Sequence, residues 1–297
     1  MDMQENSMHL FLVATSALSL FSSCFMALIY IGYKSLRSYI LSLVLLMLFG
    51  NAVKSVGVFI STNNIACGLP GYLYTTGALS GLAWSAIISY TIYEAHVINE
   101  NIFVFRKTYL IIGFVIPLIM GAFPFITDSY NYGEGYCFIN SDHPEKWIWR
   151  GFCLYMPVII VTVFNYRKYR KVIEAIEYDI EMLPDKSMIM SSQNKYARKL
   201  LLYPFVVFLC YFPSIICLPF EIAFNVPDAV ILVCRCLECL FGFFNTLLYA
   251  FTPKILDAVK KTIFCQKNQD SGGSNNNCTV DEDWLRGTFL RDYSELN

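Results

Sequence analysis

Seven stretches of this chain run for 20 residues or more with interiors almost empty of charge. They are Leu10 to Tyr33, Tyr39 to Ile60, Leu69 to Tyr93, Thr108 to Thr127, Trp147 to Tyr166, Leu200 to Phe220 and Ala229 to Thr252. A helix needs about 20 apolar residues to cross a bilayer core. In hydrocarbon, only helices and closed barrels satisfy every backbone polar group. The expected fold is therefore all-α and polytopic: a seven-transmembrane helix bundle. Composition agrees, with 56 % hydrophobic and 15 % charged residues against about 45–50 % and about 25 % in soluble domains. A large soluble helical protein would not keep seven such spans clear of charge. The prolines within them, such as Pro117, Pro157 and Pro213, are tolerated in membrane helices.

Lysine and arginine placement predicts the orientation. With the N-terminus outside, 18 of the 22 Lys and Arg fall inside, as the positive-inside bias requires. Lys146 and Arg150 fall near the outer face, and Lys54 and Arg235 lie within spans. Residues 1–8 then read as an extracellular N-terminus and 9–253 as the membrane domain of a multi-pass protein of the plasma membrane. The first span reads as an anchor rather than a cleaved signal, because Asp2 and Glu5 precede it and no Lys or Arg does. Tyr166, Tyr169, Ile173 and Ile176 recur at helical spacing, so the fifth helix continues into the third inner loop. Residues 254–265 read as a short amphipathic helix on the inner lipid surface, with Ile255, Leu256, Val259 and Ile263 on one face. Cys265 at its end is a lipidation candidate. Residues 266–297 are polar and acidic and read as a disordered cytoplasmic tail. The Asn277-Cys278-Thr279 sequon lies on the inner side, away from the glycosylation machinery.

Few function classes fit the polar residues. A net charge of -1 offers no field for nucleic acid. His9, His96 and His143 are the only histidines, and the topology scatters them outside, inside and outside, so they build no shared metal site. No G-x-S-x-G, P-loop or dinucleotide motif occurs. Neither an enzyme nor a cofactor nor a resident metal is expected. Cys234, Cys236 and Cys239 sit in a C-x-C-x-x-C pattern with no His nearby, and such cysteines usually behave as small apolar residues. Cys67 and Cys137 both fall on the oxidising outer side, where a disulfide would tie the second outer loop across the bundle mouth.

Three charges inside the membrane need a reason, since unpartnered burial is costly. Lys54, Arg235 and Glu238 fall at similar depth in the outer half. Arg235 and Glu238 are three apart and share a helix face. If the second and seventh helices are neighbours, Lys54 can pair with Glu238, which leaves Arg235 to meet an anion. Two readings stay open: an outward-facing ligand pocket and a structural ion network.

Several segments, in order, resemble one family. VIPLIMGAFPFITDSYNYGEGYCFI (Val115 to Ile139), GLAWSAIISYTIY, WRGFCLYMPVII, ARKLLLYPFVVFLCYFPSII and GFFNTLLYAFTP resemble helices three to seven and the second outer loop of the cyclic-AMP-receptor-like class of G-protein-coupled receptors. The likeness covers roughly Trp84 to Pro253. It implies an extracellular small ligand, with a cyclic-nucleotide-like anion as the candidate, and a heterotrimeric G protein as inner partner. The Arg of the D-R-Y motif of the rhodopsin-like family is absent, and Asn245 to Tyr249 occupies the N-P-x-x-Y place without its Pro. The activation lock must therefore differ, with Glu94 or His96 as candidates beside Tyr93. The resemblance places Arg167, Lys168, Arg170, Lys171, Lys195, Arg198 and Lys199 against the G protein. Positive-inside anchoring accounts for the same run of charge. Ser271, Ser274, Thr279, Thr288 and Ser294 in the tail are candidates for phosphorylation and an arrestin-like partner. The competing reading is a seven-helix transporter or channel with Lys54, Arg235 and Glu238 lining its path. The scarcity of ionisable residues in the inner half and the lack of an internal repeat speak against it.

Overall fold

A computed structural model describes residues 3–33, 39–61, 66–98, 107–139, 145–182, 202–224 and 226–250. The helices are α1 (Met3–Gly32), α2 (Tyr39–Phe59), α3 (Gly68–Tyr93), α4 (Lys107–Thr127), α5 (Glu145–Arg150 continuing through Met156–Met182), α6 (Leu202–Ala223), α7 (Asp228–Cys239) and α8 (Phe241–Ala250). Between α4 and α5 a hairpin pairs β1 (Tyr130–Gly133) with β2 (Tyr136–Ile139). This hairpin departs from the all-α expectation. The seventh stretch is also not one straight helix: α7 and α8 meet at a 43° bend.

Four described helices are long and apolar enough to cross a membrane: α1, α2, α4 and α5. A fifth joins them if α7 and α8 count as one broken span. Phe205–Glu221 within α6 is apolar but shorter. Large apolar side chains such as Phe21, Leu28, Ile119, Ile160 and Phe205 are exposed on these helices. So much exposed apolar surface fits contact with lipid rather than water. The amphipathic segment 254–265, Cys265, the tail 266–297, Lys195, Arg198 and Lys199 lie outside the described residues.

The polar composition of α3 follows from its place. It packs against α2, α4, α5 and the hairpin, and most of its residues are buried. A helix enclosed by protein needs small residues for close approach and hydroxyls to bond across helices. Gly77 lies against the backbone of Lys54, so that a Cβ there would overlap the Lys54 main chain. Ser80 Oγ donates to the Gly113 carbonyl at 2.8 Å, and Ser89 Oγ to Asn165 Oδ1 on α5 at 2.8 Å.

Prolines shape α4 and α5. Pro117 and Pro157 each follow a π-helical turn, Ile111–Val115 and Gly151–Tyr155. A proline lacks its N–H and crowds the carbonyl four residues back, here Gly113 and Cys153. The wider π-turn takes up that misfit.

The core is two clusters along the bundle. One, at the hairpin end, joins Leu12, Val58, Tyr74, Leu82, Tyr136, Phe138, Tyr155, Val207, Tyr211 and Phe241. The other, at the far end, joins Met26, Val44, Met47, Trp84, Ile88, Tyr169, Val172 and Tyr249.

Candidate functional site

The hairpin turn is Glu134-Gly135, with φ of 56° and 87°. Two left-handed residues in a two-residue loop match the twist of the flanking strands. β2 is buried throughout, and a Cys67–Cys137 disulfide ties it to the start of α3. The Tyr74 ring packs on Tyr136 and Phe138 at centroid distances of 5.0 and 5.1 Å. His9 Nδ1 lies 2.7 Å from the Gly135 carbonyl oxygen, so the turn also touches α1. The hairpin is thus held over one end of the bundle from three sides.

Beneath it, three cations and three carboxylates alternate. Glu134 Oε1 accepts from Arg150 Nη2 at 2.9 Å, and Glu134 Oε2 accepts from Arg235 Nε at 2.8 Å. Arg150 Nη1 continues to Glu221 Oε2 at 3.2 Å, and Arg235 Nη1 to Glu238 Oε1 at 3.2 Å. Tyr74 donates to Glu238 Oε2 at 2.9 Å. Lys54 Nζ donates to the Glu238 main-chain carbonyl at 2.6 Å. Lys54, Arg150, Arg235 and Glu238 are each at most 1 % exposed, which makes pairing obligatory. Arg150 and Arg235 also lie on Phe138, with guanidinium carbons 5.4 and 5.6 Å from its ring centroid.

The expected grouping of Lys54, Arg235 and Glu238 is present, with two differences. Lys54 reaches the carbonyl of Glu238 rather than its carboxylate. This carbonyl stands at the break between α7 and α8, where a helix leaves its last acceptors unfilled and favours a cation. Arg235 has an anion already, and it belongs to the chain: Glu134. Burial pushes the Glu134 carboxyl up, but Arg235 and Arg150 outweigh burial and hold it down at about 2.

Glu134, Arg150, Glu221 and Tyr74 are members that reasoning from the sequence missed. A signal existed for the first. Glu-Gly flanked by alternating Tyr130, Tyr132, Tyr136 and Phe138 is a hairpin pattern. Beside the turn opens a cleft of about 340 Å³, lined by Glu134, Arg150, Glu221, Lys146, Trp147 and Phe224 among others. Arg235 is absent from its lining; Glu134 stands between them.

At the far end, Glu94 is buried and accepts from the Tyr109 hydroxyl at 3.2 Å. Lys168 Nζ sits 3.7 Å from the Tyr93 ring centroid, and Arg167 is exposed. Asn245 Nδ2 turns back to the Phe241 carbonyl at 2.8 Å, and Tyr249 is buried in the far cluster. The side chain of His96 is outside the described set. Among the described residues, no three His, Cys, Asp or Glu side chains converge as a metal site. Of the three clustered cysteines, Cys234 lies 3.4 Å from Cys217 on α6.

No protein-family model matches the chain, and no curated protein matches it either.

Proposed function

We propose that the chain is a seven-helix receptor of the plasma membrane. Its N-terminus and hairpin face outward, and it couples an extracellular small ligand to a heterotrimeric G protein inside. The observation that carries this reading is the bridge through Glu134. One hairpin carboxylate joins Arg150 on α5 to Arg235 on α7, directly beside a cleft. Whatever fills that cleft touches two helices at once, and a switch follows where such contacts differ between two states. The lysine and arginine distribution supports the orientation, and the motif resemblance to cyclic-AMP-receptor-like receptors supports the coupling. On this reading the ligand is anionic, of the cyclic-nucleotide kind. Lys54, Arg235 and Glu238 tie α2 to the end of α7 and, through Glu134, to the hairpin. Tyr93 and the basic end of α5 at Arg167 and Lys168 present the inner face, with Glu94 buried behind them. The expectations from the sequence that Arg198 and Lys199 meet the G protein and that Cys265 is lipidated belong to the same reading.

The test is guanine-nucleotide exchange on a panel of Gα subunits, with the full chain in membranes and cyclic AMP among the added anions. Exchange above that of membranes lacking the chain is the expected result. Ionic current or solute flux without exchange on any Gα would replace the receptor with a transporter or channel.

A further inference from the structure

We infer that Arg150 and Arg235 form an anion-binding site that the hairpin turn fills with its own carboxylate, and that a soluble ligand bearing a carboxylate or phosphate enters from the cleft by displacing Glu134. The signalling consequence rests on the receptor reading above; the displacement is a binding statement and stands or falls separately.

The turn itself points to this. The first position of such a loop favours Asn, Asp or Gly, and a left-handed backbone costs other residues about 1–2 kcal/mol. Glu134 adopts φ 56° all the same. Its backbone gives no reason for a glutamate there. Its side chain does, since its two oxygens bridge guanidiniums from two helices at 2.9 and 2.8 Å.

The site has donor capacity to spare. Arg235 Nη2 is buried and has no hydrogen-bond partner among the described residues. The hydroxyls of Tyr136 and Tyr155 are in the same condition, and both side chains lie near Arg235. A phosphate has more acceptor positions than the glutamate it would replace, so it can use donors that Glu134 leaves idle. Burial of unmet donors costs free energy that such a ligand recovers.

Charge decides between addition and replacement. With Glu134 seated, Lys54, Arg150 and Arg235 balance Glu134, Glu221 and Glu238. An added anion would meet Glu134, Glu221 and Asp228 in the cleft wall and be repelled. With Glu134 swung out, the interior carries one net positive charge, which a monoanion neutralises. Lys146 and Trp147 at the cleft offer a second cation and an aromatic face to the rest of the ligand. The disulfide at Cys137 fixes β2 three residues from Glu134, so the movement is confined to the turn. That turn also touches α1 through His9.

The experiment uses the purified full chain in phosphatidylcholine nanodiscs and reads thermal stability. The probes are inorganic phosphate, acetate and, as a neutral control, acetamide. Glu134→Ala should be less stable than the wild type and should regain stability saturably with phosphate or acetate but not acetamide. The wild type should need about ten-fold more of either anion, because its own carboxylate occupies the site most of the time. Glu134→Gln, which keeps the side-chain length, should show the same enhanced anion response and serves if the alanine variant does not fold. Equal responses to acetate and acetamide, or equal anion sensitivity in wild type and variants, would overturn the proposal. Stabilisation by phosphatidic acid in the disc with none by soluble phosphate would also overturn it, by assigning the site to lipid headgroups. None of these readouts involves a G protein, so a failed exchange assay does not decide them.

Discussion

The two ends of the bundle share apolar packing and differ in what is set within it. The hairpin end seals itself with Lys54, Arg150, Arg235 and Glu238, all buried, and with Glu134 and Glu221 completing an alternating chain. The far end seals itself with Met26, Val44, Met47, Trp84, Ile88 and Val172, and its buried acid Glu94 is met by a tyrosine hydroxyl. Ion pairs in a low-dielectric interior are directional, and breaking one leaves a charge with nowhere to go. Apolar packing is non-directional and tolerates volume-conserving rearrangement. One end is therefore set as a single arrangement that changes only when a charge is exchanged. The other is held mainly by apolar packing, in which a volume-conserving change costs less.

The largest effect should come from breaking the charged end. Arg235→Ala leaves Glu134 and Glu238 without their shared cation and should cost about 3–5 kcal/mol, read as lost thermal stability and reduced folded yield. Cys67→Ser should follow, at about 2–5 kcal/mol, because the bridge spans a separation of 70 residues and holds the hairpin on α3. Loss of yield with one newly reactive thiol at Cys137 is the signature to seek; a variant as stable as the wild type would remove the bridge from the account. Tyr74→Phe deletes one hydrogen bond to a buried carboxylate and should cost about 1.5–3 kcal/mol. At the far end, Ile88→Val should cost only about 0.5–1.5 kcal/mol, with no change in response to anions. An Ile88→Val loss as large as that of Arg235→Ala would erase the contrast.

Acid sharpens the same comparison. Glu134 is held at about 2 against an ordinary 4.5. A carboxylate held low contributes stability that is complete above its unfolded value and lost as pH falls through the folded one. The stability gap between wild type and Glu134→Gln should be constant above about pH 5 and shrink as pH falls toward 2. A gap that does not narrow on acidification would mean that the ionised carboxylate is not what stabilises the turn.

Much of the helical framework was legible in the sequence, because apolar length and charge placement report directly on burial. The hidden parts depended on three-dimensional proximity. The pairing of Lys54 with the Glu238 carbonyl needs the break between α7 and α8, and Leu240 at that break carries no turn signal. Arg150 reads as an outer-edge residue by position, yet a π-turn and Pro157 follow it, and its side chain is buried against Phe138. Glu134 and Arg235 are 101 residues apart, and no periodicity links them. The cysteine pair was readable, because the orientation expected from lysine and arginine placement puts only Cys67 and Cys137 at loop or span-end positions on one side.

The bridge through Glu134 is the centre of this account, and a double-mutant cycle tests it most directly. Glu134→Gln and Arg235→Met would be made singly and together, and thermal stability compared. Strong coupling is expected, with the double variant losing far less than the two single losses added, since each change removes the same ion pair. Losses that simply add would contradict it, and the hairpin would then be a cap that rests on the bundle without being linked to α7.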